Sequence, residues 1–514
     1  MATPAAFTRQ ERLLLAALVA LKLLLHFFTN TQYGFHRDEF LYLDEGNHLG
    51  WGFLEVPPLT PLVGKVAVTF FGDSLFSVRL FSALAGAGVV LLIGLMIREM
   101  GGKRWAIAFG GLAFILSPSF LRTGTLFQPV GFEHFFWTLC AYILVRTANR
   151  GWTGNWYWLG IAAGLAWMNK YSIGFFGLAL LLGIALTRQR KLLADRRAWM
   201  ALGIAFLIAI PNLLWQWQHE FPVVHHMTEL AQTQLVHVES AGFLMDQLMM
   251  QFVGFVVWVP GLLWLLFSKP GQPFRFLGFA FLILLALLLL LSGKSYYSLG
   301  AYPMLMAAGG VALGHFFENK NRVWPGLLLG WLVLTDLLIL PLGLPVLPIE
   351  QMEKYCDRLA KYGEEQRWED GNIHPIPQDY ADMFGWEETA ATVAEKYHSL
   401  PAEKQATCLI YGGSYVHAGL LNYYRKKYGL PEAVSLNSSY VLWAPDSLHF
   451  DNMILVDDTW QDSSTYFKHQ VFVDSVQYRY ARDPGYVFYR YGPRAHLDSL
   501  VTVRVRAAKR AVGE

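Results

Sequence analysis

The chain has 514 residues, of which 54% are hydrophobic and only 16% are charged. Soluble domains carry about 25% charged residues, so this composition excludes an ordinary soluble domain and indicates a polytopic membrane protein. The net charge of +2 provides no basic surplus for nucleic-acid binding, and three cysteines are too few for a disulfide scaffold. The first apolar segment lacks a small-residue cleavage site and is expected to remain as a membrane helix.

Eleven apolar segments approach the length that a bilayer requires, which is about 20 residues per helix. In chain order they are Leu13–Thr29, Arg79–Ile97, Trp105–Leu121, Phe132–Val145, Trp156–Met168, Tyr171–Thr187, Ala198–Trp215, Leu248–Phe267, Phe276–Ser292, Leu299–Phe317 and Trp324–Pro345. The fourth and fifth are short. This pattern predicts a multi-spanning α-helical membrane protein with about 11 transmembrane helices.

The basic residues of the connecting loops are divided unequally between the two sides of this map. One set of loops carries sixteen Lys and Arg residues. The opposite short loops carry five, namely Arg37, Lys65, Arg122, Lys170 and Lys294. The positive-inside rule places the richer loops and the N-terminus in the cytoplasm. An odd number of helices then places the residues after Pro345 on the outer side.

The first outer loop, residues 30–78, is acidic. It contains YGFHRDEFLYLDEGNHLGWGFLEVPPLTPL (Tyr33–Leu62), in which Asp38 and Glu39 follow shortly after the first span. Ionisable groups beside a bilayer cost free energy and are usually kept for a function. A base at this position would suit a reaction with an acceptor at the membrane surface. The alternative is a solvated loop with an acid pair at a helix N-terminus. The prolines stiffen the next part, and the apolar Leu62–Gly72 is predicted to lie in the interface as a short helix.

The residues after 345 are more polar and predict a second, soluble domain. Strand-like runs lie at Cys408–Gly413, Met453–Asp458, Gln470–Val476 and Tyr486–Tyr491, and helical segments at Trp386–Tyr397 and Val416–Tyr428. Such a mixture indicates a small α/β fold. We therefore divide the chain into a membrane domain, residues 1–345, which includes the structured loop 30–78, and an extracytoplasmic α/β domain, residues 346–514. Cys356 and Cys408 either pair in this second domain or remain free thiols.

Several stretches carry a family resemblance. HRDEFLYLDEGNHLGWGFLEVPPLTPL, followed by GDSLFSVRLFSALAGA, resembles the bacterial branch of the dolichyl-phosphate-mannose–protein mannosyltransferase family, to which lipid A aminoarabinose transferase is related. RTGTLFQPVGFEHFFW, GLAWMNKYS and GKSYYSLGAYP are similar to that family as well, so the resemblance covers about the first 345 residues. It implies a GT-C membrane fold.

The resemblance also implies an activity and a place. The chain would be a hexosyl- or pentosyltransferase of the bacterial inner (plasma) membrane. It would move a sugar from a polyprenyl-phosphate-linked donor to an acceptor hydroxyl on the outer, periplasmic face, with inversion at the anomeric carbon. QDYADMFGWEE and YGGSYVHAGLLNYY resemble C-terminal segments found on some bacterial members.

By this resemblance the catalytic carboxylate is Asp38, the first acid after the first helix. It would act as a general base that takes the proton of the acceptor hydroxyl. Glu39 would orient the acceptor, support Asp38 or bind a metal. The residues expected to shape the acceptor site are Glu133, His134, Glu55 and Tyr297. The alternatives are a favourable anion at a helix N-terminus for Glu133 and a membrane-interface anchor for Tyr297.

The leaving group would be a lipid phosphate, which requires cations at the outer surface. The candidates that could stabilise it are Lys170, Lys294, Arg79, Lys65 and Arg122. The alternative is that these side chains snorkel to the headgroups or pair with structural acids. Val56, which follows Glu55, stands where relatives carry a lysine before the prolines, and it is open whether Lys65 replaces that lysine.

No cofactor is certain from the sequence. A divalent cation held by His36, His48 or His134 together with the acids is an open option, although no ligand spacing supports it. The expected partners are the polyprenyl-phosphate-sugar donor, the lipid bilayer and an envelope glycan, lipid or protein acceptor, without nucleic acid.

Two other functions compete with the enzyme. A transporter or flippase of a lipid-linked sugar would keep its ionisable groups near the bilayer midplane, whereas the predicted spans carry few charges, of which Lys22 and Asp336 are the notable ones. A non-catalytic family member whose C-terminal domain is a binding module is the third option.

Overall fold

The computed structural model describes residues 6–151, 154–233, 239–462, 464–494 and 497–513. The α-helices described before residue 345 are α1 (Arg9–Thr29), α2 (Arg37–Glu45), α3 (Leu59–Phe71), α4 (Leu75–Glu99), α5 (Arg104–Leu116), α6 (Pro118–Thr125), α7 (Pro129–Arg150), α8 (Asn155–Asn169), α9 (Ile173–Ala185), α10 (Arg196–Gln218), α11 (Pro222–Thr233), α12 (Ser240–Met249), α13 (Phe255–Phe267), α14 (Arg275–Leu290), α15 (Tyr302–Phe316) and α16 (Val323–Gly343).

The remaining elements mix helices and strands. They are α17 (Ile349–Ala360), β1 (Gln366–Arg367), β2 (Ile373–His374), α18 (Gln378–Ala381), α19 (Trp386–His398), α20 (Ala402–Ala406), β3 (Cys408–Gly412), α21 (Tyr415–Tyr428), α22 (Tyr440–Trp443), β4 (Asn452–Asp457), β5 (Phe467–Asp474), β6 (Tyr486–Pro493) and α23 (Leu497–Arg510).

The chain forms two compact units that are not continuous in sequence. The first contains Met1–Gln32, Phe71–Leu213 and Thr228–Val346. The second contains Tyr33–Phe70, Leu214–Met227 and Leu347–Glu514. The acidic loop is thus grouped with the C-terminal segment, whereas the sequence-based division places it in the membrane domain.

The first unit is helical, and each of the eleven predicted segments contains a helix. In the described part of the chain, six helices are long and apolar enough to cross a membrane, and nine if each of three bent pairs forms one span. The count of about eleven therefore remains a prediction. The third predicted segment is not one straight helix, because α5 and α6 meet at a bend of 61°. Pro118 begins α6 there, and proline cannot continue a preceding helix.

Helices α13 and α15 of the first unit are in backbone contact. A Cβ atom on Gly309 would lie 1.9 Å from the carbonyl oxygen of Val257, and one on Gly261 would lie 2.1 Å from that of Leu305. Small residues allow such close packing where lipid supplies no hydrophobic drive between helices. The side chains at these two positions are therefore limited to hydrogen.

A four-stranded sheet of order β3-β4-β6-β5 forms the centre of the second unit. Strands β3 and β4 are parallel, whereas β6 is antiparallel to both β4 and β5. Helix α21 follows β3 through Gly412 and Gly413 and packs on that strand. The four strands and the helices α19 and α21 are present where the hydrophobic pattern predicted them, within a few residues.

The acidic loop packs against α21 inside the second unit. Phe40 is buried, and its ring contacts the rings of Tyr423 and Trp386. Trp386 Nε1 donates a hydrogen bond to the carbonyl oxygen of Phe35 at 3.1 Å. A Cβ atom on Gly419 of α21 would lie 2.9 Å from Phe40 Cβ, so α2 lies directly against that helix. The loop is therefore a packed part of the unit.

Two smaller expectations can be compared directly with the structure. Helix α3 covers the apolar segment expected to be a short helix, but it begins earlier, at Leu59. Cys140, Cys356 and Cys408 are all free thiols. Of the two options for Cys356 and Cys408, the structure contains the unpaired one.

Candidate functional site

A capping box fixes the N-terminus of α2, next to Asp38. His36 Nδ1 accepts a hydrogen bond from the N–H of Asp38 at 3.2 Å. In return, Glu39 Oε2 accepts one from the N–H of His36 at 2.7 Å. Glu39 is completely buried. Glu39 therefore caps α2 and fixes its first turn, which contains Asp38.

Asp38 is the partly exposed acid of α2, with 29% of its side chain accessible to solvent. Its Oδ1 atom accepts a hydrogen bond from the Tyr415 hydroxyl at 2.7 Å, and its Oδ2 atom lies 3.7 Å from His36 Nδ1. Burial raises the pKa of Tyr415 well above its usual value, so this phenol remains a hydrogen-bond donor. An accessible carboxylate held by a neutral donor can accept a proton from a bound hydroxyl.

The other acids of α2 are buried. Asp44 Oδ2 accepts a hydrogen bond from Asn422 Nδ2 at 2.8 Å, and burial raises the pKa of Asp44. Glu45 is completely enclosed, and burial together with the nearby Glu55 raises its pKa well above the usual value. Glu45 therefore favours its protonated form more than an exposed glutamate does. Among the four acids of α2, Asp38 is the one whose position suits a base.

Glu55, expected to shape the acceptor site, is bound to the C-terminal segment. Its carboxylate accepts hydrogen bonds from the Ser438 hydroxyl and, at 2.6 Å, from the Ser439 hydroxyl. Lys65, a phosphate candidate in the same unit, donates from Nζ to Asn47 Oδ1 at 3.2 Å near the surface. These contacts attach Glu55 to the C-terminal segment, whereas Lys65 lies near the protein surface.

One group of three side chains in the described residues has the spacing of a metal site. His36, Asp379 and Asp382 each offer a ligand atom, and these atoms lie within 4.8 Å of one another. However, Arg482 Nη1 lies 3.0 Å from Asp382 Oδ2, and Arg37 Nη1 lies 3.7 Å from Asp382 Oδ1. A divalent cation would have to compete with these two guanidinium groups for the Asp382 carboxylate. His48 is elsewhere, stacked on Trp443.

Four of the predicted residues in the first unit form a cluster around two tyrosine rings. Lys170 Nζ donates to Glu133 Oε2 at 3.0 Å and lies 5.4 Å from the ring centroid of Tyr297. Lys170 and Lys294 each lie 5.9 Å from the ring of Tyr296. We call Glu133, Lys170, Lys294, Tyr296 and Tyr297 the lysine–tyrosine cluster. Two ammonium groups beside phenol rings are a suitable arrangement for a phosphate.

The remaining candidates of the first unit have contacts with the protein itself. Arg79 is completely buried, and its Nη1 donates to the carbonyl oxygen of Asn30 at 2.6 Å. Arg122 Nη2 donates to the carbonyl oxygen of Leu342. His134 is buried edge-on against the ring of Phe120. These positions favour the structural alternative for Arg79 and leave Arg122, which is only partly buried, as a candidate for phosphate contact.

Three residues that sequence reasoning did not select complete the two sites. Tyr415 contacts Asp38, Asp382 contacts Arg37, and Ser172 donates a hydrogen bond to Glu133. Ser172 lies two positions after Lys170, so the NKYS motif contained a signal for it. Tyr415 and Asp382 lie in stretches noted only for their resemblance, and a single sequence offers nothing that pairs them with residues 37 and 38.

Comparisons with known proteins show what this chain is similar to. The sequence profile described as dolichyl-phosphate-mannose-protein mannosyltransferase matches residues 55–215. Lipid A galacturonosyltransferase RgtD of Rhizobium johnstonii is 24% identical over 201 residues, which are 38% of this chain. The match spans only 41% of that relative's length.

Solved structures show the same fold. ArnT from Cupriavidus metallidurans bound to undecaprenyl phosphate superposes with a TM-score of 0.57 at 16% identity, covering 94% of this chain and 98% of that one. The apo state of ArnT gives 0.59 at 16% identity, with coverage of 92% and 97%. Arabinofuranosyltransferase AftD from Mycobacteria gives 0.50 at 13% identity, covering 96% of this chain and 40% of that one. The resemblance read from the sequence is thereby confirmed.

Proposed function

Because the chain is related to the dolichyl-phosphate-mannose–protein mannosyltransferases and shares the GT-C fold of ArnT, we propose that it is an integral-membrane glycosyltransferase. It takes a sugar from a polyprenyl-phosphate-linked donor and transfers it, with inversion, to an acceptor hydroxyl on the outer face of the bacterial inner membrane. About eleven helices cross the membrane, with the N-terminus in the cytoplasm and residues 346–514 outside.

The observation that carries this proposal is the environment of Asp38. The carboxylate is partly exposed, ordered by a capped helix and supported by the Tyr415 hydroxyl, while Glu39, Asp44 and Glu45 are buried. In the reaction, Asp38 takes the acceptor proton as the acceptor oxygen attacks the anomeric carbon, and the bond from that carbon to the phosphate oxygen breaks.

The lysine–tyrosine cluster of the first unit is our candidate for the group that binds the lipid phosphate of the donor. Lys170 and Lys294 would each stabilise the developing negative charge on the lipid phosphate. Glu133 orients Lys170 through their 3.0 Å contact. Relatives support a lipid-phosphate donor as well, since ArnT has been captured with undecaprenyl phosphate.

Helix α3 offers a membrane contact at the outer surface. Helix α3 buries Thr60 and Ala67 but exposes the apolar side chains of Leu62, Phe70 and Phe71. A short helix with such an uncovered apolar side suits the lipid interface. This placement brings the loop of Asp38 to the level at which a lipid-linked sugar is presented.

The transporter alternative is not favoured. The named relatives are transferases, and Lys22, one of the two notable charges of the spans, has a structural contact: it is completely buried and donates from Nζ to the carbonyl oxygen of Phe120 at 2.8 Å. A translocation pathway would instead gather such groups around a substrate at the midplane.

The test is Asp38→Asn in the full-length protein, purified in lipid nanodiscs and supplied with a panel of polyprenyl-phosphate sugars and envelope extracts. We expect the loss of sugar transfer by at least about 100-fold, with undecaprenyl-phosphate binding retained, because the base is removed without changing the shape of the side chain. Transfer is measured by mass spectrometry of lipids, glycans and proteins.

Asp73→Asn is the matched control, because it removes an exposed carboxylate from the same predicted outer stretch. It should transfer at the wild-type rate. Transfer by Asp38→Asn at the wild-type rate would contradict the proposed base. Comparison of envelopes from cells with and without the gene identifies the acceptor class.

A further inference from the structure

The C-terminal segment contributes a side chain to the carboxylate of Asp38. Tyr415 is the first residue of α21, and its hydroxyl lies 2.7 Å from Asp38 Oδ1. The two residues are separated by 377 positions in the sequence, yet both belong to the second compact unit. The hydrogen bond holds one oxygen of a carboxylate whose side chain is 29% exposed.

Tyr415 is held from several directions. Its N–H donates to Asn437 Oδ1 at 3.0 Å. Ser414, which directly precedes the helix, places Oγ 3.0 Å from His417 Nδ1, and the completely buried His417 places Nε2 3.2 Å from Asp483 Oδ2. The start of α21 is thus tied to two other parts of the segment, so the tyrosine cannot easily move away from Asp38.

Arg37 joins the same arrangement from the other side. The guanidinium carbon of Arg37 lies 5.5 Å from the ring centroid of Tyr415. The backbone N–H of Arg37 donates a hydrogen bond to the carbonyl oxygen of Asp382 at 3.1 Å. Asp382 also lies 3.7 Å from Arg37 Nη1 and receives a hydrogen bond from Arg482 Nη1 at 3.0 Å. The C-terminal segment therefore fixes both the backbone and the side chain of the residue before Asp38.

We propose that Tyr415 is a positioning residue for Asp38, and that residues 347–514 are accordingly part of the catalytic apparatus. This inference rests on the proposed function. The Tyr415 hydroxyl keeps its own proton and fixes Oδ1. The acceptor proton then passes to the Asp38 carboxylate as the acceptor oxygen bonds to the anomeric carbon and the lipid phosphate departs.

The test is Tyr415→Phe, which removes the hydroxyl and keeps the ring beside Arg37. We expect kcat to fall by about 10- to 100-fold, as for loss of a hydrogen bond to a charged group, with the KM of the lipid donor changed less than about twofold. The acidic limb of the kcat–pH profile should move to higher pH, because the variant lacks the hydroxyl donor that favours the ionised carboxylate in the wild type. Tyr424→Phe, the same substitution on the same helix, is the control and should leave both readouts unchanged.

A second measurement does not depend on transfer activity. Carbodiimide coupling of glycine ethyl ester consumes the protonated form of a carboxyl, so Asp38 should be labelled faster in Tyr415→Phe than in the wild type at the same pH. Peptide mass spectrometry of the full-length protein gives the rate at Asp38 itself. Equal rates in the two proteins would overturn the role of Tyr415. The Asp38→Asn assay, in contrast, decides the proposed function on its own.

Discussion

At the scale of single residues, Glu45 places a carboxyl group in the interior of the second unit. It is completely buried, and both burial and the charge of Glu55 raise its pKa. An unfolded glutamate loses its proton near pH 4.3, whereas Glu45 in the folded chain keeps its proton to a higher pH. The stabilising contribution of Glu45 is therefore complete below the pKa of an unfolded glutamate, about 4.3. It is lost as the pH rises through the pKa that Glu45 has in the folded chain.

This difference predicts the effect of Glu45→Gln, which resembles the protonated acid at every pH. We expect the variant to unfold at a higher temperature than the wild type at pH 8, by at least about 2 °C, and the gap to close as the pH falls toward 4. The measurement is thermal unfolding of the full-length protein in detergent across this range.

The exposed Glu403 supplies the matched control. Glu403→Gln removes a carboxylate from the surface of the same unit and should follow the wild-type curve at all pH values. A Glu45→Gln variant that is no more stable than the wild type at pH 8 would show that the interior tolerates the charged form.

At the scale of elements, the approach of α2 to α21 depends on Gly419. An added Cβ atom would lie 2.9 Å from both Phe40 Cβ and Tyr440 Oη, and 3.2 Å from the carbonyl carbon of Phe40. The nearest atoms thus include the backbone of α2, which cannot rotate away as a flexible side chain could. The helices must separate to admit even one methyl group.

Gly419→Ala should therefore destabilise the second unit, by about 1–3 kcal/mol as in other overpacked cores, and should reduce sugar transfer because Asp38 moves away from Tyr415. Helix propensity alone predicts the opposite sign, since alanine favours a helix by about 1 kcal/mol over glycine. Thermal unfolding and transfer assays of the same preparation measure both effects.

Gly330→Ala measures the effect of helix propensity alone, because open space surrounds that position in α16. It should be neutral or slightly stabilising. Wild-type stability and activity in Gly419→Ala would mean that α2 and α21 adapt without cost.

Local elements could be predicted from sequence because their signals are local. Apolar runs gave the helices of the first unit, and short alternating runs gave β3 to β6. The capping box of α2 could not be predicted, because its N-cap residue is His36 and not one of the serine, threonine, aspartate or asparagine residues that usually begin such a box. The burial of Arg79 could not be predicted either, because a basic residue at the outer start of a helix resembles a surface residue until the carbonyl of Asn30 is seen beside it.

At the scale of the whole molecule, the expected orientation follows from loop charge alone. The positive-inside rule places residues after 345 outside and the loop containing Lys191 in the cytoplasm. Tyr362 is 86% exposed, and Lys191 is also exposed, so both positions can carry a reactive thiol. The orientation can therefore be measured with single cysteines.

In a background in which Cys140, Cys356 and Cys408 are replaced by serine, Tyr362→Cys should react with a membrane-impermeant maleimide in EDTA-treated cells. Lys191→Cys should react only after the inner membrane is opened. Labelling in the reverse order would place Asp38 on the cytoplasmic side and would remove the basis for outer-face chemistry.

The grouping of residues 33–70 with residues 347–514 has a consequence for biosynthesis. Asp38 leaves the ribosome 377 residues before Tyr415, which at 5–20 residues per second is an interval of about 20 to 75 s. During that time Phe35 and Phe40 lack the aromatic partners that later enclose them. A nascent chain must therefore keep this loop from aggregation or proteolysis until translation is nearly finished, and a late stop codon would damage the earliest-made loop as well as the end of the protein.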